Sequence, residues 1–212
     1  TSVASITDAT TFTITDTLAG SPAATYGVYI AGSRNNEMMG LSGIVSATST
    51  LQGLDVATYP WWKAKVLANS GTNRAISDTI IQTALDTLEA NSSGKATALY
   101  TSYGVRRAYQ ALLTATKQLV NTQELKGGYK ALTYNDLPII ADKDAPANKI
   151  FVVDEDELQI FRLGDLDWMQ DDGAILSRVS GYDAYEAVLY VYQELGCMMR
   201  NAHVLIGDIT EA

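Results

Sequence analysis

Polar and apolar positions alternate from Ile6 to Thr15, with Thr11, Thr13 and Thr15 opposite Phe12 and Ile14. That period of two predicts a half-exposed strand, ended by the Gly-Ser-Pro break at 20–22. Tyr26 to Ile30 reads as a second short strand, and Ala31 to Leu51, with glycines at 32, 40 and 43, reads as loop. The period then changes. Ile76, Ile80, Ala84, Leu85 and Leu88 recur at helical spacing with Asp78, Gln82, Asp86 and Glu89 turned outward, which predicts a helix over 73–90 capped by Thr72. A short strand over 96–100 and a second amphipathic helix over 102–115 follow. Short apolar runs at 130–132, 137–140, 150–154 and 158–163, separated by turn clusters, have the pattern of a meander. The aromatic and β-branched density of 182–209 predicts one long kinked strand or a hairpin. Two helices among many short strands define an α+β fold, and no fixed-period repeat is visible.

Composition narrows the classes. The chain has 212 residues, 47% hydrophobic and 18% charged, enough apolar content to build a core and too little charge for disorder. A net charge of −9 argues against a surface that wraps polyphosphate by charge alone. The single cysteine, Cys197, excludes an internal disulfide and a cysteine-based zinc ribbon. No apolar run approaches the length of about 18 residues that a membrane span needs, so no membrane partner is expected. The chain opens on Thr1, which reads as a processed or trimmed piece of a longer protein.

Candidate chemistry is sparse. Cys197 and His203 stand six apart; an extended strand would separate them by about 20 Å and a helix would rotate them out of line. A local Cys–His pair is therefore not expected, no nucleophile-elbow motif supports a serine triad, and His203 reads as a core or interface histidine. Ten carboxylates lie between Asp142 and Asp172 against Lys143, Lys149 and Arg162. Counting an EF-hand loop from Asp154 or Asp165 puts Leu158, Gln159, Met169 and Gln170 at ligand or turn positions, so these acids read as decoration of turns and an exposed rim. Gly94-Lys95 is followed by Ala96 and lacks the earlier glycine of a phosphate loop. Tyr59-Pro60-Trp61-Trp62 reads as a packing anchor or subunit contact before a sugar platform. No catalytic residue, cofactor or metal ligand is assigned.

The order of segments resembles a known family. A loop ending in Gly-Leu (RNNEMMGLSGIV, 34–45), the helix TIIQTALDTLEA (79–90), a strand then a helix (98–113), GGYKALTYNDLPIIADKDAPANKIFVVD (127–154) and the closing stretch 176–203 together resemble the major capsid proteins of tailed bacteriophages, the Hong Kong 97 type fold shared with encapsulins. The resemblance implies an axial domain, a central sheet flanked by two helices, over 31–170. It implies peripheral-domain strands over 171–212, and a β-rich segment at 1–30 that is an insertion or the remnant of the family's extended loop. The family's arm, extended loop and spine helix precede the matching region, so the chain is expected to be a C-terminal portion of a subunit; no crosslinking residue carries over.

Under that resemblance the expected function is structural: self-assembly into an icosahedral shell of hexamers and pentamers around DNA, in a virion built in the bacterial cytoplasm. Scaffolding or decoration proteins are the further partners, and DNA is enclosed without sequence-specific binding. The expected subunit-contact residues are Arg34, Asn35, Asn36, Glu37, Trp61 and Trp62. The alternative from another class is a carbohydrate- or calcium-binding module of a phage tail or surface protein, using the two tryptophans and the acidic stretch.

Overall fold

The computed structural model describes residues 3–6, 12–15, 36–115, 122–124, 130–170 and 173–212. The chain divides into two units, Thr1–Glu37 and Met38–Ala212. In the first, strands β1 (Val3–Ile6) and β2 (Phe12–Ile14) pair antiparallel, so Phe12–Ile14 of the alternating stretch form a strand as expected. The strand expected at 26–30 lies outside the described residues.

The second unit begins with a one-turn helix α1 (Leu41–Ile44), inside the stretch expected to be loop. Strand β3 (Lys65–Leu67), helix α2 (Asp78–Asn91), strand β4 (Ala98–Thr101) and helix α3 (Tyr103–Ala115) follow. Next come β5 (Thr122–Glu124), β6 (Lys130–Tyr134), β7 (Leu137–Ala141) and β8 (Ile150–Val153). Together with β15 (Val204–Ile206) these strands form one mixed sheet in the order β3-β15-β8-β4-β7-β6-β5. The turn joining β6 to β7 holds Asn135 and Asp136 at positive φ, the left-handed pair that a two-residue hairpin needs.

The sheet is covered on both faces, and alternation along its strands says by what. Leu99, Ile139, Ile150, Val152, Val204 and Ile206 pack with Ile81, Leu85 and Leu88 of α2 and Val105, Tyr109 and Leu113 of α3. Ala98, Phe151 and Val153 point the other way, onto Ile44, Val45, Leu51, Trp62 and Ala64. Because β8 lies between two layers, all four of its residues are buried, which is why it reads as an unbroken apolar run.

Two expected boundaries move for tertiary reasons. Helix α2 starts at Asp78 rather than 73, and its cap is Ser77, which accepts from the Ile80 amide, rather than Thr72. Residues before it are held extended: Arg74 N–H donates to Asp208 C=O and the Thr210 amide donates back to Arg74 C=O. The long strand expected over 182–209 is broken into four, β12 (Tyr185–Glu186), β13 (Leu189–Tyr190), β14 (Gln193–Cys197) and β15, with a 3₁₀ turn at Arg200–Ala202 before the last. Only β12 pairs with a neighbour in sequence, Ser177–Arg178; the partners of the other three are distant, so no local pattern shows where pairing changes.

Candidate subunit-contact surfaces

The most exposed part of the second unit is a two-stranded ribbon. Strand β9 (Leu158–Arg162) pairs with β14, β10 (Asp167–Trp168) with β13, and β11 (Ser177–Arg178) with β12, all antiparallel. Backbone bonds from Leu163 to Tyr192, Met169 to Val188 and Val179 to Ala184 link these pairs into one arm. At the tip Tyr182 N–H donates to Val179 C=O around Gly181, whose φ of +82° is one that glycine adopts without strain.

No described residue from 159 through 194 is buried. The side chains left in water include Leu163 at 86% exposure, Leu166, Leu176, Tyr182, Tyr185 and Tyr192. A lone two-stranded ribbon is marginally stable in water, and a soluble surface rarely shows this much contiguous apolar area without a partner. At its base the ribbon is anchored: Glu194 Oε1 accepts from the Met39 amide at 2.8 Å.

The Pro-Trp-Trp stretch forms a single 3₁₀ turn that splits its two tryptophans. Trp62 is buried in the layer opposite the helices, whereas Trp61 is 65% exposed. Tyr59, Trp61 and Trp62 stack edge to face, successive centroids 6.1 Å apart. Trp62 is thus the packing anchor and Trp61 the ring offered to solvent. Asn36 and Glu37 are exposed at the end of the first unit; Arg34 and Asn35 lie outside the described residues.

Two buried polar constructions stand behind these surfaces, and residue patterns signalled neither. Arg200, wholly buried, donates to the carbonyls of Gly43, Ile44 and Ser49 and to Ser49 Oγ, at 2.6–3.0 Å. It fastens the 43–49 segment to the sheet, and burial lowers its pKa.

The second corrects the sequence reading: Cys197 Sγ lies 3.3 Å from His203 Nε2. The 3₁₀ turn at Arg200–Ala202 folds the chain back, so neither the extended nor the helical separation applies. His203 Nδ1 accepts the Asp154 N–H at 3.2 Å, which leaves the ring proton on Nε2, facing the thiol. Burial lowers the His203 pKa to about 4 against the opposing Asp154 charge, and burial raises that of Cys197 to about 11. A neutral imidazole facing a neutral buried thiol is a packing pair, without the thiolate that nucleophilic chemistry requires.

The acidic residues do turn work. Asp154 accepts from the Lys95 and Asp156 amides, and Asp142 from the Asp144 amide. Among the described residues no group of three or more histidine, cysteine or carboxylate side chains is placed to hold a metal ion. A shallow groove bounded by Gly40, Tyr100, Asp142 and Pro146 joins the loop after residue 38 to the acidic turns.

The family model described as SU10 major capsid protein matches residues 22–210. The chain belongs to this major capsid protein family. The fold is that of solved shell subunits. The cyanophage A-1(L) capsid asymmetric unit superposes with a TM-score of 0.64 at 20% identity, over 85% of this chain and 62% of that one. The holo-SrpI encapsulin complex from Synechococcus elongatus PCC 7942 superposes with a TM-score of 0.54 at 11% identity, over 69% of this chain and 53% of that one. The chain therefore spans less than two thirds of the cyanophage subunit's length. No curated protein sequence matches it. The α+β fold and the phage-capsid resemblance read from the sequence both hold.

Proposed function

We propose that this capsid-family chain forms the wall-building part of a phage head subunit, working by adhesion to copies of itself and not by catalysis. The observation that carries the proposal is the family match over residues 22–210. The exposed ribbon supports it, since a surface of that kind needs a partner. Hexamers and pentamers of the complete subunit would enclose DNA through shape and number, because a net charge of −9 offers no electrostatic attraction to phosphate. Many weak contacts repeated around a closed lattice add to a stable shell.

Within this reading residues 31–170 act as an axial-like region and 171–212 supply peripheral-like strands. Residues 1–30 are an insertion or the remnant of an extended loop, and Arg34, Asn35, Asn36, Glu37 and Trp61 meet neighbours, with Trp62 holding Trp61 in place from beneath. Assembly takes place in the host bacterial cytoplasm and the product resides in the virion; scaffolding and decoration proteins are the natural further partners.

Expression of the complete gene product that contains this chain tests the proposal. Closed particles in negative-stain micrographs are expected, with the 212-residue chain alone sedimenting as a monomer or small oligomer. A complete product that stays monomeric at high concentration, with or without co-expressed head genes, would overturn the shell reading.

A further inference from the structure

The charge of the second unit is divided between its parts. From Glu155 to Glu194, the ribbon and the turn at its base, ten carboxylates face only Arg162 and Arg178. The rest of residues 38–212 holds twelve lysines and arginines against eleven carboxylates. All of this unit's net negative charge therefore rides on its most exposed apolar element and the turn at its base.

That division limits what can cover the ribbon. A second ribbon is repelled by like charge, and so is nucleic acid. A matching surface must be apolar and cationic, and the second unit carries one. Tyr59 and Trp61 are 40% and 65% exposed, Lys63 beside them is exposed, and Lys65 begins β3. Strand β3 is the outer strand of the seven-stranded sheet, paired on one side only among the described residues, with Val66 38% exposed. The ribbon offers the counterpart: a groove of about 320 Å³ where Asp165 and Asp167 meet Leu163, Leu166, Tyr190 and Tyr192. The rings of Tyr190 and Tyr192 lie 5.4 Å apart. Two carboxylates beside two aromatic rings suit a lysine ammonium on a long apolar stem.

We infer that the acidic ribbon of one copy docks on the Tyr59–Val66 edge of a second copy, with Asp165 and Asp167 receiving Lys63 and Lys65 and Trp61 covering the ribbon's leucines. The inference deepens the shell reading and rests on it. Donor and acceptor faces are different patches of one chain, so the contact is head to tail and propagates around a ring, as capsomer geometry requires.

Zero-length carbodiimide coupling of carboxylates to lysines, applied to a mixture of isotopically light and heavy complete gene product, reads the contact directly. Mixed-isotope peptides joining Asp165 or Asp167 to Lys63 or Lys65 are expected. Two charge reversals sharpen it: a Lys63→Glu, Lys65→Glu product and an Asp165→Lys, Asp167→Lys product should each lose self-association at least tenfold. Mixing the two should restore it, because each then meets an opposite charge; a folding defect in either variant would not be rescued this way. Particles that form without these cross-links, or from either variant alone as readily as from the parent, overturn the contact and leave the shell reading intact. Cross-links without particles keep the contact and overturn the shell reading.

Discussion

Strands β8 and β9 are separated by only Asp154–Glu157, yet they use their apolar residues in opposite ways. Ile150–Val153 are all buried, whereas in Leu158–Arg162 only Leu158 is partly buried and the rest are exposed. The sequences IFVV and LQIFR do not differ enough to explain this. What differs is the second layer: β8 has helices on one face and the Ile44–Trp62 layer on the other, while β9 pairs with β14 and, among the described residues, touches that layer only through Leu158. An apolar run thus means core where the same chain supplies a cover, and means interface where another copy must. Burying a large side chain is worth about 1.5–3 kcal/mol; β8 gains this in folding, and the ribbon has yet to gain it.

The sharpest way to break the comparison is to remove the covered side's fastening. Arg200→Met takes the charged donor from three carbonyls of the 43–49 segment; Gly43 and Ile44 keep bonds from Ser49 Oγ and the Ser46 amide while Ser49 C=O loses its donor, and each bond to a charged group is worth about 1.5–3 kcal/mol. A loss of about 3–5 kcal/mol in urea unfolding is expected; a loss under about 1 kcal/mol would mean that water replaces the guanidinium and the layer is not truly closed.

Acid probes the same interior more gently. The folded-state pKa of His203 is lowered to about 4 from 6.5, so the unfolded chain binds the proton more readily between those values. Stability is full above pH 6.5 and falls as the pH drops toward 4, by about 3 kcal/mol in all. His203 is the chain's single histidine, so the limb between pH 6.5 and 5 belongs to it. Below that Glu211, whose pKa is lowered by hydrogen bonds from Ser102 Oγ and the Asn148 amide, adds a loss of the same sign. His203→Gln should flatten the upper limb in denaturant midpoints measured across pH, at a lower plateau.

On the uncovered side the expected effect is smallest. Leu163→Ser with Leu166→Ser should change unfolding of the isolated chain by less than about 0.5 kcal/mol, as surface substitutions do. The same pair should weaken association of the complete subunit measured by light scattering. A loss above about 2 kcal/mol in the isolated chain would show that the ribbon is packed on its own body and would erase the contrast.

Much of this was legible beforehand where the periodicity is local. Helix α3 with Val105, Tyr109 and Leu113 buried at four-residue steps, the strands β7 and β8, and the turn between β6 and β7 follow from residue order. The surface was legible in part. The Pro-Trp-Trp turn stood out, but which tryptophan faces water depends on the turn's rotation against Ile44 and Leu51. The ribbon was not recognised, since Leu158 pairs with Cys197 across the whole length of the arm. The Cys197–His203 approach was excluded on local geometry because the reversal at Arg200–Ala202 is itself held by the distant 43–49 carbonyls.

By itself, then, the order of residues determined the α+β class, the two helices, the short strands and the concentration of acid in the later part of the chain. Hydrophobic period and charge are properties of neighbours along the backbone. Only the tertiary structure decided which apolar runs are core and which are left bare, where the buried arginine finds its carbonyls, and that a thiol and an imidazole meet. Each of those depends on which distant segment supplies the second layer, and no nearest-neighbour pattern carries that information.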